Sequence, residues 1–399
     1  MSGLLSREKW WVYLELATGF GRLFCQVRRD EDCTSAMLYS QAVPSTSLQI
    51  LESVSLAPYT TLQIGGPARF FCEVTSEAEL LEALAFAHQR SLKIFVLGGG
   101  SNLLVEDGGF DGLVIHIDLR TPMRSYSAGN DLDVTVAAGT DWNAFVLSIC
   151  EQRISGVECL AGIPGTVGGT PVQNVGAYGQ EVAETIREVR VLDLESLAFA
   201  TLSREACGFS YRGSIFNTTH RNRYIVTQVS FRFDRSATPR LTYADLARHF
   251  AGQIAAGQVP TPIDVYHAVR EIRHGKGMLI VEGEVDCRSA GSFFKNPIVP
   301  GSTLNGIAAN LSLAPGEIPH WPGGSGLIKL PAAWLLERAG FTKGFALGRA
   351  GISSRHTLAL INRGGATAAD ITALRNLIQR EVRSRFGIAL EQEPVQLGS

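Results

Sequence analysis

One stretch constrains the fold of this chain more than any other. Residues 162–179 read GIPGTVGGTPVQNVGAYG. Gly162 is followed by five further glycines, Gly165, Gly168, Gly169, Gly176 and Gly179, with two prolines between them. No hydrophobic period of helix or strand fits the run, since glycine weakens both elements and proline removes a donor. It is too long and too poor in charge for a plain surface loop. A segment of this kind wraps a ligand, bringing backbone close where side chains would obstruct. A second turn, GGGSN at Gly98–Asn102, follows a predicted strand directly. Its successive N–H groups can form an anion nest, to which Ser101 and Asn102 add donors. It is not GxGxxG, and Leu103–Glu106 does not read as the helix opening of a dinucleotide fingerprint.

Glycine makes up 42 of 399 residues, about 10% against a usual ~7%, and the excess is clustered. With 45% apolar and 19% charged residues, the chain is an ordinary globular protein of two to four domains. A net charge of −2 gives no reason to expect nucleic acid or an anionic membrane as partner. No apolar run reaches the length of a membrane span. The seven cysteines are Cys25, Cys33, Cys72, Cys150, Cys159, Cys207 and Cys287, an odd number at irregular spacing. There is no CxxC and no zinc spacing, so free thiols in a reducing cytosol are expected, and no metal site.

Strands are predicted over Ala68–Val74, Lys93–Leu97, Gly112–Ile117, Leu132–Ala137, Val189–Leu194, Tyr224–Phe233 and Thr357–Asn362, with a final strand from Ile388. Helices are predicted after a Ser76/Glu79 capping box (with Leu80, Leu81 and Leu84 inward), over Trp142–Gln152, over Leu241–Phe250, from Asp264, over Leu330–Ala339, and from a Thr367/Asp370 cap to Phe386 with Gly387 closing it. Helices and strands mix without strict alternation, which makes the class α+β. Residues 1–50 connect to no motif and read as a weakly ordered extension or an upstream start.

Further motifs follow in order: YRGSIF at Tyr211–Phe216, LTYADL at Leu241–Leu246, AGSFFKNP at Ala290–Pro297 and LEQE at Leu390–Glu393. Together with the two loops, this ordered set resembles the UDP-N-acetylenolpyruvoylglucosamine reductases of bacterial peptidoglycan synthesis (the MurB family), and LTYADL resembles their type I subgroup. The likeness covers roughly residues 55–397. It implies a two-part FAD-binding fold of the vanillyl-alcohol-oxidase type, a separate α+β substrate-binding domain, and NADPH as reductant. The parts would be 51–119 with 388–399, then 120–277, then 278–387.

The resemblance also implies roles. Cofactor contacts would come from Gly98, Gly99, Gly100, Ser101 and Asn102, and from Gly165, Gly168, Gly169, Thr170, Asn174, Gly176, Ala177 and Tyr178. Flavin N5 would deliver hydride to the methylene carbon of an enolpyruvyl ether, and Ser292 would protonate its neighbour. Arg212 would stabilise the charge gathering on the substrate carboxylate, a task suited to a planar, permanent cation. Glu393 would be a buried carboxyl with a raised pKa, acting as a neutral donor or orienting Arg212; on spacing alone Glu391 would face the same side. Tyr211, Tyr243, Lys276 and Asn296 would bind substrate, with Lys295 second to Lys276 for its diphosphate. A small UDP-sugar is thus the expected partner of a cytoplasmic monomer. Asn217 stands where the family often has lysine, and Pro394–Gln396 replaces its usual ending. Thr60–Leu62 reads TTL for the family's NTF. The competing reading, an FAD-linked oxidase of a hydroxylated substrate, often tethers its flavin to His or Cys near the first loop, and neither is present there.

Overall fold

The computed structural model describes residues 48–398, so nearly all of the expected amino-terminal extension lies outside it. Pro67–Val74, Phe110–Ile117 and Lys93–Leu97 run parallel in one sheet, with Leu51–Ser55 added antiparallel at its edge. The helix Glu77–Gln89 forms the crossover between Pro67–Val74 and Lys93–Leu97. Ser76 accepts the Glu79 N–H as expected, at 3.2 Å. The Glu79 carboxylate, however, reaches past Ser76 to the N–H and hydroxyl of Thr75, at 2.6 and 2.9 Å. Leu80 and Leu84 are buried with Ala83 and Ala87, whereas Leu81 is 37% exposed. The buried stripe keeps the i, i+3, i+4, i+7 spacing, and Leu81 falls a full step around the helix from it.

A second, antiparallel sheet has the order Ala198–Ser203, Ile186–Asp193, Tyr224–Asp234, Asp131–Ala137, Arg124–Ala128. The buried face of the helix Trp142–Glu151 contributes to the same core, where Phe145 lies 4.8 Å from Phe231 between ring centroids. Buried Trp142 satisfies its indole N–H on the Leu160 carbonyl at 3.1 Å. The helix Pro262–Gly275 is held at its start by a reciprocal Thr261/Asp264 capping box with proline in the first turn. Asn143 of the Trp142 helix accepts the Gly162 N–H at 2.8 Å and Arg273 of this helix donates to the Gly162 carbonyl at 3.1 Å, so the two together hold the start of the second glycine loop.

The carboxy-terminal core gathers the antiparallel sheet Ser289–Ser292, Ala359–Asn362, Ala350–Ile352, Ala346–Leu347 under the helices Ala332–Arg338 and Ala368–Phe386. The last helix has the expected Thr367/Asp370 box and ends on Gly387 at φ 69°. A small sheet, Ile298–Pro300, Leu327–Lys329, Trp321–Gly324, has no counterpart in the sequence reading.

Two expected elements are corrected. The helix predicted from Leu241 begins at Ala244, because Tyr243 keeps the extended conformation of a capping position, with φ −71° and ψ 132°. The strand expected from Ile388 forms only at Val395–Leu397, parallel to Leu103–Val105. Ile388 and Leu390 are instead buried as irregular chain in the carboxy-terminal core. The five described cysteines are buried and unpaired, and burial pushes the Cys72, Cys159 and Cys207 thiols up to about 12. Among the described residues no helix is long and apolar enough to cross a membrane, and no cluster of ligating side chains could hold a metal.

Candidate active site

The two glycine loops meet backbone to backbone. A Cβ on Gly99 would lie 2.5 Å from the Gly165 Cα, and one on Gly100 would lie 1.8 Å from the Tyr59 carbonyl oxygen. Only glycine tolerates either approach, and Gly100 also has φ 58°. The Asn102 amide ties the loops together by donating to Gln173 at 2.6 Å. Among the described residues, none accepts a hydrogen bond from the N–H of Gly99, Gly100, Ser101 or Asn102. Successive unpaired N–H groups of this kind are able to bind an anion. Beside Gly98 and Gly99 opens a cavity of about 480 Å³, lined by Tyr59, Thr61, Gln63, His116, Val281 and Arg288 among others. Its size is that of a ligand pocket.

Within the second loop two expected cofactor contacts are committed to the protein itself. Asn174 donates to Glu181 and to the Ser210 carbonyl and accepts from Ala183 N–H, at 2.7, 3.0 and 3.2 Å. The Thr170 hydroxyl donates to the Val167 carbonyl at 2.8 Å. Both side chains hold the shape of the loop.

The end of this loop joins two clusters. In the first, Arg212 donates from its guanidinium to the Gly176 carbonyl at 2.9 Å. Its Nε lies 3.2 Å from Glu393 Oε1, with side-chain exposures of 25% and 14%. The Nε–H does not point along that line, and it is buried without a hydrogen bond. Burial pushes the Glu393 carboxyl above the usual range, and Arg212 and Lys295 only partly oppose this. Glu393 N–H pairs with the Phe293 carbonyl at 2.9 Å, which sets it beside the residue following Ser292. Glu391 behaves differently: it is 70% exposed and paired with Lys295. Burial thus separates two glutamates that spacing could not. Tyr211 is also raised, chiefly by burial, which the neighbouring Arg212 opposes. The carboxamide oxygen of Asn296 meanwhile accepts the Ala332 N–H at 2.9 Å.

In the second cluster Tyr178 meets Tyr243 edge to face, 5.2 Å between centroids. Lys276 Nζ sits 5.6 Å from the Tyr178 ring and 2.5 Å from Asp245 Oδ2. Burial works against the lysine charge, but the hydrogen bond to Asp245 together with the charges of Tyr178, Asp245 and Tyr243 overcomes it and raises the pKa. Asp245 belongs to the LTYADL motif, though the sequence reading gives a role only to Tyr243 of that motif; Arg273 and His356 carry no sequence signal beyond an ordinary helix or strand end. Arg273 is buried and donates to two carbonyls, Gly162 at 3.1 Å and Met278 at 2.7 Å. His356 is pushed down to about 4 by burial and then by Lys276, Lys343 and Arg273. Lys276, Lys343 and Arg273 thus gather around His356 against the two carboxylates Asp245 and Glu337, an arrangement that suits an anion.

The comparisons with known proteins fall on this geometry. An FAD binding domain model matches residues 68–196, and the model of the carboxy-terminal domain of UDP-N-acetylenolpyruvoylglucosamine reductase matches 283–397. The reductase of that name from Thermobifida fusca is 46% identical, over 87% of this chain and 97% of its own. The chain belongs to the UDP-N-acetylenolpyruvoylglucosamine reductase family. The protein of that name from Streptomyces coelicolor is 42% identical over 90% of this chain and 93% of its own. The crystal structure of the MurB enzyme from Thermus caldophilus superposes with a TM-score of 0.58 at 27% identity, covering 88% of this chain and 99% of that one. The protein is an oxidoreductase with an FAD-binding domain and an α+β fold. The unpaired N–H nest and the contact between glycine loops fit that cofactor, whose pyrophosphate needs donors without side chains in the way.

Proposed function

We propose that this enzyme reduces the enolpyruvyl ether of a UDP-N-acetylglucosamine substrate to the lactyl ether at the expense of NADPH. The observation that carries the reading is the Arg212 guanidinium at the end of the glycine loop, held by the Gly176 carbonyl and the largely buried Glu393 while its side chain stays 25% exposed. A planar, permanent cation fixed in this way can meet a substrate carboxylate on its open side. Bound FAD would supply the hydride, from N5, for the methylene carbon. The nest at Gly98, Gly99, Gly100, Ser101 and Asn102 would hold its pyrophosphate. Backbone at Gly165, Gly168, Gly169, Gly176, Ala177 and Tyr178 would line its course.

Arg212 binds the enolpyruvyl carboxylate and stabilises the negative charge that reaches it during reduction. Glu393 sets the guanidinium from behind; its raised pKa keeps repulsion against the substrate carboxylate small. Ser292 gives its proton to the carbon next to the methylene. Lys276, with Tyr243 and Asn296, takes the diphosphate, and Lys276 exchanges Asp245 for it. The pairing of Val395–Leu397 with Leu103–Val105 supports a division into 51–119 with 388–399, 120–277 and 278–387. One chain supplies every one of these groups, so a monomer suffices. The buried free thiols suit a reducing cytoplasm. The test is NADPH oxidation by purified protein with and without the enolpyruvyl UDP-sugar. Consumption that depends on the sugar supports the reading, and consumption indifferent to it overturns it.

A further inference from the structure

Arg212 occupies a costly backbone conformation. Ser210 and Gly213 exchange both of their N–H···O bonds, at 2.9 and 3.0 Å, which leaves Tyr211 and Arg212 as the two residues at the tip of a tight hairpin. Arg212 has φ 54°, the left-handed region that favours glycine or asparagine at such a tip. For another residue this conformation is strained, and it persists only where the surroundings enforce it. The hairpin is anchored on one side by the Ser214 hydroxyl, which donates to the Val172 carbonyl at 2.6 Å. On the other side stands Asn217. Its Nδ2 donates to the Arg212 carbonyl at 3.2 Å, and its Oδ1 accepts the Ser214 N–H at 2.9 Å.

We infer that Asn217 is a positioning residue for Arg212: its carboxamide spans the hairpin from the Arg212 carbonyl to the Ser214 N–H and holds the arginine where the substrate carboxylate is met. This rests on the role given to Arg212 above. The function needs both halves of the carboxamide, one donor and one acceptor at a fixed spacing. Without them the strained tip relaxes, and the guanidinium leaves Gly176 and Glu393 for solvent. Two neutral hydrogen bonds of about 1 kcal/mol each then correspond to a loss of roughly 10- to 30-fold in the competent arrangement.

The experiment is a double-mutant cycle on the holoenzyme, read as flavin reoxidation by the enolpyruvyl UDP-sugar after reduction by NADPH. Asn217→Ala is expected to slow reoxidation about 10-fold or more and to leave flavin reduction by NADPH within about twofold. Arg212→Ala/Asn217→Ala is expected to be no slower than Arg212→Ala alone, because Asn217 acts only through the arginine. Additive losses, or equal losses in both half-reactions, overturn the inference. If Asn217→Ala does not fold, Asn217→Asp serves, since it keeps the acceptor and loses the donor; it should show a smaller loss of the same kind. Limited trypsinolysis is a readout independent of the reaction. Cleavage after Arg212 should be faster in Asn217→Ala than in wild type, and equal rates would overturn the hold. Were wild-type reduced enzyme not reoxidised by the sugar, the functional reading would fall while the trypsin comparison still decided the role of Asn217.

Discussion

Replacing Glu393 by glutamine separates what this side chain does for the fold from what it does for the site. The carboxylate lies 3.2 Å from Arg212 Nε and is 14% exposed. At an effective dielectric of about 20, two unit charges at that distance attract by about 5 kcal/mol. Taking a carboxylate out of water is opposed by several kcal/mol, so the balance is close. The raised carboxyl pKa shows that burial wins over Arg212. For an acid raised on folding, the native state holds its proton to higher pH than the unfolded chain. Stability therefore falls as pH climbs from the ordinary glutamate range through the folded value, and stays lower above it. Glutamine keeps the shape and carries no charge. Glu393→Gln should accordingly be more stable than wild type at pH 7.5, by about 1.4 kcal/mol for each pH unit of displacement. A Tm rise of roughly 2–4 °C per kcal/mol follows at this chain size, shrinking toward zero near pH 4. Reoxidation by the sugar should fall together with this gain. Thermal unfolding at both pH values reads the first effect and stopped-flow the second. A loss of more than about 1 kcal/mol at pH 7.5 would show that the ion pair outweighs burial, and would refute the reasoning.

Three further outcomes are expected. Ser292→Ala should leave flavin reduction by NADPH near wild type and slow reoxidation by the sugar at least ~10²-fold, the low end for a positioned acid; equal slowing of both steps in stopped-flow would reduce Ser292 to a turn residue. Acid precipitation should release all flavin colour into the supernatant, because no His or Cys lies in the first glycine loop; a yellow pellet would contradict this. Calorimetric titration should show Lys276→Met binding the UDP-sugar at least about 10-fold more weakly, as expected for a lost charged hydrogen bond. Asp245→Asn should bind it more tightly, since the lysine no longer leaves a carboxylate at 2.5 Å; unchanged affinity in both variants would remove the pair from the substrate site.

What could be read from sequence was whatever a local rule controls. The Thr367/Asp370 box and Gly387 fix both ends of the last helix within a few residues of chain. The glycine runs mark where backbone must approach backbone, and the structure puts Gly99 against Gly165. Pairing at long range was beyond such rules. The strand Val395–Leu397 depends on Leu103–Val105, far away along the chain. Leu81 was misassigned because three leucines fit a loose helical face, while the actual stripe uses small alanines. The glutamate ambiguity had the same origin, since only the fold buries Glu393 and leaves Glu391 to Lys295. Asn174 looked like a loop donor and is spent on the loop itself. Arg273 and His356 had no local pattern, and Asp245 lay unremarked inside LTYADL; the surroundings of all three come from the cations and carbonyls that tertiary packing sets around them.

The central claim is that electrons entering from NADPH leave onto an enolpyruvyl UDP-sugar held by Arg212. Anaerobic single turnover tests it most directly. Protein reduced with one equivalent of NADPH is mixed with one equivalent of the enolpyruvyl UDP-sugar, and flavin absorbance and the sugar product are followed together. Full return of oxidised flavin with one equivalent of the lactyl ether, lost in Arg212→Ala, is the expected result. Flavin that stays reduced with the sugar and is rapidly reoxidised by admitted oxygen would contradict the account and point to an oxidase.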